Sequence, residues 1–413
     1  MKTCLGGSAS TWVWSWGAVR PQAGALHGSH WGVLLRAPLA ALGASAAAAP
    51  SRGCPADSVA YVPVTASVLA EVAVLDLAAQ DLPFLADVYR LDKVDEVRYL
   101  PDGLMNRNWQ LRTVGGAFAL KLLLDAPVST VRRNLSVAAA LAAAGVPACP
   151  PVPTLGGDVV AEVDDRAYSL FGWLEGEHIA GTGLSAGQAH HLGGVVGRLH
   201  RELNDPGLRR WLPAAGAVTA TVAAPGEAVA EADRYLRAIG AFASAAPFDV
   251  QTVELLRRRK ALIAEYGHLR PATDQPAGPA GYTHGDLQHR NIIWRDGVVA
   301  GVIDWDRIRV RPFGEEIART ATLQFGGEAG ELDLELVAAF VAGYRAVVAI
   351  SDAELVDAVD RLWWKRASDF WQLVFHYDRG DHSCDHLFFS GETFLHWWTA
   401  NRGQVRDAFA ARP

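Results

Sequence analysis

A chain of 413 residues, half of them hydrophobic and a fifth charged, can bury a sizeable core, and at about 100–200 residues per domain it suggests two domains. Lys and Arg number 38 against 45 Asp and Glu, a net charge of −7, which argues against a strongly basic nucleic-acid binder. Residues 1–60 hold Lys2, Arg20, Arg36 and Arg52 against Asp57, so the remaining 353 residues carry −10, an acidic surface of the kind that attracts cationic partners.

Residues 1–60 are unusual: Trp12, Trp14, Trp16 and Trp31 stand among Ala and Gly runs with almost no charge. The expectation is a disordered extension arising from an over-early start codon. A secretory or lipoprotein signal and a membrane anchor are the alternatives. Against them, the apolar run 33–49 is interrupted by Arg36 and Pro38, and it is shorter than the roughly 18 residues a membrane span needs. No membrane partner is expected. Cys4, Cys54, Cys149 and Cys384 are too sparse for a disulfide scaffold and form no C-x-x-C pair, so reduced thiols in a cytoplasmic protein are expected.

Helical spacing predicts a helix over residues 66–80, within a leading segment 61–92. Strands are expected over 94–100, 109–113 and 117–124, the last two joined across Gly115-Gly116 as a hairpin. A helix over 128–144 closes on Gly145 and Pro147, and two more strands, 159–163 and 167–174, flank Asp164-Asp165. After Gly176 the chain turns helical, over 185–203, 226–239 and 250–266. A short hairpin, 292–294 with 298–303, follows around Arg295-Asp296-Gly297. Helices then fill 313–324, 332–350, 352–376 and 392–409. The implied fold is α+β, with a small β-rich lobe at 93–174 and a larger helical lobe at 175–413.

The most informative segment is Tyr282-Thr283-His284-Gly285-Asp286-Leu287-Gln288-His289-Arg290-Asn291, continuing through the hairpin into Ile303-Asp304-Trp305-Asp306. Asp286 and Asn291 lie five residues apart on a loop, and Asp304 emerges at the end of the second hairpin strand. The hairpin can gather two carboxylates and an amide, hard oxygen ligands that suit Mg²⁺. Four fixed residues at these spacings would arise by chance on the order of once per thousand such chains.

This arrangement resembles the catalytic loop and metal aspartate of kinases. With His-Gly-Asp in place of His-Arg-Asp and Ile-Asp-Trp-Asp in place of Asp-Phe-Gly, it is similar to the aminoglycoside phosphotransferase, choline kinase and homoserine kinase branch. The resemblance covers about residues 92–345. It implies a two-lobed, protein-kinase-like fold that transfers the γ-phosphate of ATP to a hydroxyl of a small molecule with Mg²⁺. In that scheme Asp286 is the catalytic carboxylate, Asn291 and Asp304 hold the metal, and His284 and Asp306 are structural at the site. Lys121, in the strand Phe118-Ala119-Leu120-Lys121-Leu122, holds the α- and β-phosphates, and the adenine lies against the linker of Phe171, Trp173 and Glu175. Residues 104–108 sit where the phosphate-covering loop would be but lack its repeated glycines. His200 is expected to be structural.

Two departures stand out. Kinases commonly pair the strand lysine with a helix Glu, yet residues 126–157 contain no acid, and Asn134 occupies that position, able to hydrogen-bond Lys121 without neutralising it. This keeps open a nucleotide-binding pseudokinase that senses a ligand. Glu315-Glu316 stands where the family usually has Asp, and Glu316 either braces the loop or is a helix-start acid. On the acceptor side, residues 331–360 carry seven acids against Arg345, and Trp363, Trp364 and Trp371 follow with Asp369 among them. A cationic acceptor such as an aminoglycoside or amino alcohol fits such a wall, with Asp369 and Trp371 as candidate contacts; a solvated helix face over core tryptophans is the alternative. His376, His382, Cys384 and His386 match no common structural zinc spacing, and His190-His191 carries no stronger metal signal.

Overall fold

The computed structural model describes residues 77, 80–101, 106–242, 244, 246–327 and 329–411. The extension 1–60 and nearly all of the helix expected at 66–80 lie outside the described residues.

Helix α1 (Leu82–Tyr89) begins with Pro83 in its first turn and ends at Arg90 in the left-handed conformation. It lays Leu85 and Tyr89 on an antiparallel sheet of β1 (Val94–Leu100), β2 (Arg107–Thr113), β3 (Gly116–Leu122), β4 (Pro151–Val152), β5 (Ala161–Val163) and β6 (Arg166–Gly172). The order is β1-β2-β3-β6-β4, with β5 on β6. Alternation sets the register, because Trp109 and Leu111, Leu120 and Leu122, and Tyr168 and Leu170 share the face toward α1. Helix α2 (Val128–Ala143) packs Val131 and Leu135 against Leu123, Val160 and Ala167. It closes at Gly145, whose φ is 82°, with Val146 N–H on Leu141 O.

Beyond the linker, α3 (Ala186–Leu203) opens on a capping box at Ser185 and Gln188 and runs along α7 (Leu334–Arg345). Glycine permits that contact. A Cβ on Gly193 would stand 1.9 Å from Phe340 O, and one on Gly343 1.8 Å from His190 O. Helices α4 (Pro225–Gly240), α5 (Pro247–Tyr266), α6 (Phe313–Gln324), α8 (Asp352–Ser368), α9 (Asp385–Ala400) and α10 (Arg402–Ala410) complete the lobe. Trp294, Trp305, Trp363, Trp364 and Trp398 are all fully buried, so Trp363 and Trp364 belong to the core.

Between these helices, β7 (Ala280–Thr283) pairs with β10 (Arg309–Pro312), and β8 (Ile292–Arg295) with β9 (Val298–Val302). The β8–β9 turn, Asp296-Gly297, has positive φ at both residues, as a two-residue hairpin requires. The β7–β8 loop and the β9–β10 loop therefore emerge side by side, and they carry Asp286, Asn291 and Asp304, the candidate site residues.

Three expected helices differ. The one at 352–376 ends at Ser368, because Asp369 is extended and its Oδ1 takes the Trp371 N–H at 3.0 Å; residues 371–373 then make one turn and 374–378 a π-helical one. The helix at 332–350 shortens to α7, opened by Asp333, whose carboxylate accepts from Glu335 and Leu336 N–H. The last helix is two, α9 and α10, meeting at Asn401. Among the described residues no helix is long and apolar enough to cross a membrane.

Candidate active site

The linker leaves β6 at Gly172, with Trp173 N–H donated to Ala117 O at 2.9 Å. Phe171 is half-buried on the α2 side of the sheet and Glu175 is exposed. The chain then crosses to the β8–β9 hairpin through a two-way backbone pair between Glu177 and Trp294, and a Cβ on Gly176 would meet Trp294 O at 2.4 Å. The linker is thereby clamped onto the hairpin that bears Asn291 and Asp304.

Gly285 has φ 88°, and a Cβ there would lie 2.2 Å from Arg307 O. This close approach between the two loops explains Gly before Asp286. Asp286 Oδ1 accepts from Arg319 Nη2 at 2.6 Å, and its Oδ2 lies 3.3 Å from Gln288 Nε2 and 3.4 Å from Asn291 Nδ2. Asn291 Nδ2 also donates to Asp286 O at 2.8 Å. Ile303 N–H bonds Asn291 O at 3.0 Å, continuing the Ile292–Val302 pairing by one step. The hairpin thus sets Asn291 beside the residue preceding Asp304, and Asp304 itself has φ 65°, a left-handed conformation sparsely used outside glycine.

Across the cleft, Lys121 Nζ lies 2.6 Å from Asp304 Oδ1 and 2.7 Å from Asp306 Oδ2. Burial alone would lower the ammonium's pKa; the two carboxylates outweigh it and raise the pKa instead. Burial works against ionisation of both aspartates, yet Lys121 carries Asp304 below its ordinary value on balance, while Asp306, deeper and beside the charge of Asp304, is raised. Asp306 also accepts from Asn106 Nδ2 at 3.2 Å, and Asn106 Oδ1 takes Leu124 N–H at 2.9 Å. Asp304 keeps 37% of its side chain exposed against 6% for Asp306, so Asp304 is the carboxylate that faces the cleft.

Asn134 does not bond Lys121. Its Nδ2 donates to Asp306 O at 2.9 Å, and its Oδ1 takes the Arg133 guanidinium. The neutralising acid for the strand lysine comes from Asp306, on the loop, instead of from the helix. Asn134 holds the backbone of that acid in place.

Behind the loop, Glu316 accepts from His284 N–H at 3.1 Å and from Gly285 N–H, and pairs with His200 Nε2 at 2.8 Å. His200 Nδ1 meets Tyr344 Oη at 2.9 Å. Burial would raise the Glu316 pKa, but these donors hold it down to about 2. His284 Nε2 bonds Ile303 O at 3.0 Å while its Nδ1 lies 3.2 Å from Asp286 N, so His284 ties the two loops together.

On the helical side a cavity of about 280 Å³ opens between α4, α6 and α8, lined by Trp364, Phe370, Trp371, Asp369, Lys365 and Glu315 among others. Glu315 and Arg319 lie one helical turn apart on α6, so the cavity wall and the Asp286 contact share a helix face. At the inner end, burial pushes the Glu315 carboxyl up to about 7 and the Lys365 ammonium down to about 7.

The acidic run 331–360 is mostly spent elsewhere. Asp333 and Glu354 cap helices, Asp352 pairs with Arg345 at 2.6 Å, Asp357 with Arg361 at 2.7 Å, and Asp360 with Arg402 at 3.0 Å. Its negative charge does not form an open wall for a cation. His191 Nε2 accepts from Val299 N at 3.2 Å, a structural contact.

Sequence reasoning missed Arg319, whose only signal was its place three and four residues after Glu316 and Glu315 on a helix aimed at the loop. It also undervalued Asp306, visible as the second acid of Ile-Asp-Trp-Asp.

The profile of the phosphotransferase enzyme family (APH) matches residues 96–350. No curated protein sequence matches the chain. Among solved structures, it is similar to a spectinomycin phosphotransferase solved with ADP and spectinomycin, with TM-score 0.57, 15% identity, and coverage of 83% of this chain and 98% of that one. An amicoumacin kinase solved with AMP-PNP, Ca²⁺ and its antibiotic gives TM-score 0.51, 18% identity, and coverage of 82% and 95%. An aminoglycoside phosphotransferase from Alicyclobacillus acidocaldarius subsp. acidocaldarius gives 0.50, 15%, and coverage of 86% and 96%. At such identities these neighbours establish the two-lobed kinase-like fold. The chain belongs to the phosphotransferase enzyme family, whose chemistry is phosphoryl transfer to a hydroxyl of a small molecule.

Proposed function

We propose that this chain transfers the γ-phosphoryl group of ATP to a hydroxyl of a small molecule bound in the cavity beside Trp371, with Mg²⁺ as the metal. The observation that carries the reading is the hairpin base: it sets Asp286, Asn291 and Asp304 on one edge, opposite Lys121. That donor set fits a hard cation, since Asp304 is part-exposed and the Asn291 amide N–H is spent on Asp286, which leaves the amide oxygen as its candidate ligand atom. A Mg²⁺ ion held by Asn291 and Asp304 would supply charge neutralisation on the phosphate oxygens.

Lys121 meets the α- and β-phosphates once its hold on Asp304 is shared with them. Trp173 N–H is already committed to Ala117 O, so the base is met by the linker beyond it, toward Glu175, with Phe171 supporting the linker from the sheet. Asp286, held by Arg319, Gln288 and Asn291, orients the acceptor hydroxyl and takes its proton as the new O–P bond forms and the bond from the γ-phosphorus to the β-bridging oxygen breaks, releasing ADP. Positioning and charge neutralisation supply most of the acceleration, because the transition state is loose.

The apolar lining around Phe370 and Trp371 suits an acceptor with a broad apolar or ring face, and Asp369, which also takes Trp371 N–H and lies near Lys365, is the candidate contact for a cationic group. The motive for a pseudokinase was Asn134; the two carboxylates on Lys121 supply the neutralising charge that the helix lacks and so favour the catalytic reading. A mass-spectrometric screen of hydroxylated small molecules with ATP and Mg²⁺ tests the reading. Asp286→Asn should lower kcat by about 10²–10⁴-fold with unchanged circular dichroism. Turnover unaffected by that substitution overturns the assignment.

A further inference from the structure

We propose a second metal site, for one divalent transition ion of the Zn²⁺ class, made by His376, His382 and Asp385 and independent of the phosphotransfer reading. His376 Nδ1 lies 2.8 and 2.9 Å from the two Asp385 carboxylate oxygens and 3.0 Å from His382 Nδ1, and His382 Nδ1 lies 3.4 Å from Asp385 Oδ2. Three Lewis-basic atoms thus converge on one point, all within 4.8 Å of one another. In a tetrahedral site with metal–ligand bonds of about 2.0–2.1 Å, neighbouring ligand atoms stand roughly 3.3 Å apart, close to the spacing here. Hydrogen bonding alone can tie each histidine to Asp385 but leaves the 3.0 Å contact between the two ring nitrogens less well served. A proton on His376 Nδ1 that satisfies Asp385 leaves that nitrogen without a lone pair for a proton from His382, whereas one cation uses a lone pair from each ligand.

The ligands are pre-set by the fold. The His376 ring stacks on Phe248 with centroids 4.1 Å apart and meets Tyr377 edge-on at 4.4 Å, which fixes its orientation. Gly380, with φ 67°, and the bond from Asp381 N to Phe375 O turn the chain so that His382 returns over His376. Asp385 is the first residue of α9, where a carboxylate is favoured. Two imidazoles with one carboxylate select a borderline ion over Mg²⁺ or Ca²⁺. His376 and Asp385 are largely buried, but His382 is 65% exposed, so the fourth position faces solvent. Cys384 is buried with its Sγ on Ser383 Oγ, and it and His386 stand outside the ligand set.

The ion would fasten the 379–384 turn to α9. Val374, two residues before His376, lines the acceptor-side cavity, and Asp378, two residues after, is held by Arg234 at 2.9 Å. The clip therefore sits behind one wall of that cavity.

The test uses the full chain, stripped with chelator and returned to excess Mg²⁺ to occupy the phosphate site. Titration with Zn²⁺ should show one Mg²⁺-resistant equivalent per chain, and Co²⁺ should give the visible absorption of a low-coordinate, imidazole-bound ion. His382→Ala, at an exposed position, should weaken Zn²⁺ by about tenfold or more and abolish the Zn²⁺-dependent rise in Tm. Asp385→Asn should weaken it too, while Cys384→Ser and Asp304→Asn should leave the equivalent in place. Absence of Mg²⁺-resistant Zn²⁺ binding in the unsubstituted chain, or binding unchanged in His382→Ala, overturns the proposal. Loss of the equivalent in Asp304→Asn alone would assign the ion to the phosphate site and also overturn it.

Discussion

Two ionic networks flank the candidate site, one behind the loop that bears Asp286 and one across the cleft on the loop that bears Asp304. Behind, Glu316 is 1% exposed and His200 is fully buried, and the carboxylate accepts from His200, His284 N–H and Gly285 N–H. In front, Lys121 lies between Asp304 and Asp306, and Asp304 remains more than a third exposed. The front network gathers one ammonium and two carboxylates, the rear one a single carboxylate with a ring nitrogen and two backbone N–H groups. A network with its acceptors filled and no route to solvent positions the backbone; one with a part-exposed carboxylate keeps capacity for a ligand. On this basis Glu316 supports the loop, and Asp304 is the carboxylate that the proposed function gives to the metal.

The largest expected effect separates the networks by activity. Asp304→Ala should lower kcat by about 10³-fold and flatten the dependence of rate on Mg²⁺, with Tm little changed because Asp306 still pairs with Lys121. A rate that keeps its Mg²⁺ dependence in this variant would break the contrast. Glu316→Ala should do the reverse in kind. Removing one member of a buried pair should cost about 3–5 kcal/mol in a urea denaturation series, and activity of the folded fraction should fall through loop disorder instead of through lost metal.

Acid titration sharpens the same point. The folded-state pKa of Glu316 is depressed from an ordinary 4.5 to about 2, so its stabilisation is fully present above about pH 4.5 and lost as pH falls toward 2. The span corresponds to about 3 kcal/mol. The urea midpoint of the unsubstituted chain should drop across that window, and Glu316→Gln should drop less. The smallest effect concerns Asn134, which is fully buried and bonds Asp306 O. Since Lys121 already has two carboxylates, Asn134→Glu should not tighten ATP binding by calorimetry and should cost at least about 1–3 kcal/mol by leaving Asp306 O without its donor. Tighter ATP binding would show that Asp306 only partly replaces the helix Glu.

Much of this site is legible before folding. The hairpin turn at Asp296-Gly297 and the strand pair around Gly115-Gly116 are local patterns, set by backbone sterics and period-2 burial, and β1 matches the expected 94–100 in full. The helix ends are less legible, since Asp369 breaks its helix with its own carboxylate, a competition that apolar spacing does not record. The acidic stretch 331–360 misled for a related reason. Composition counts charges, but only packing reveals that Arg345, Arg361 and Arg402 pair with Asp352, Asp357 and Asp360.

By itself, then, the sequence determined the candidate site loop, the lysine strand opposite it and the small and large lobes, because each is written in short-range spacing. Tertiary structure alone decided which acid neutralises Lys121, what Glu316 supports and which histidines converge on Asp385. The Lys121 partners lie 183 and 185 residues along the chain, and no local pattern encodes a contact that exists only once two lobes have packed.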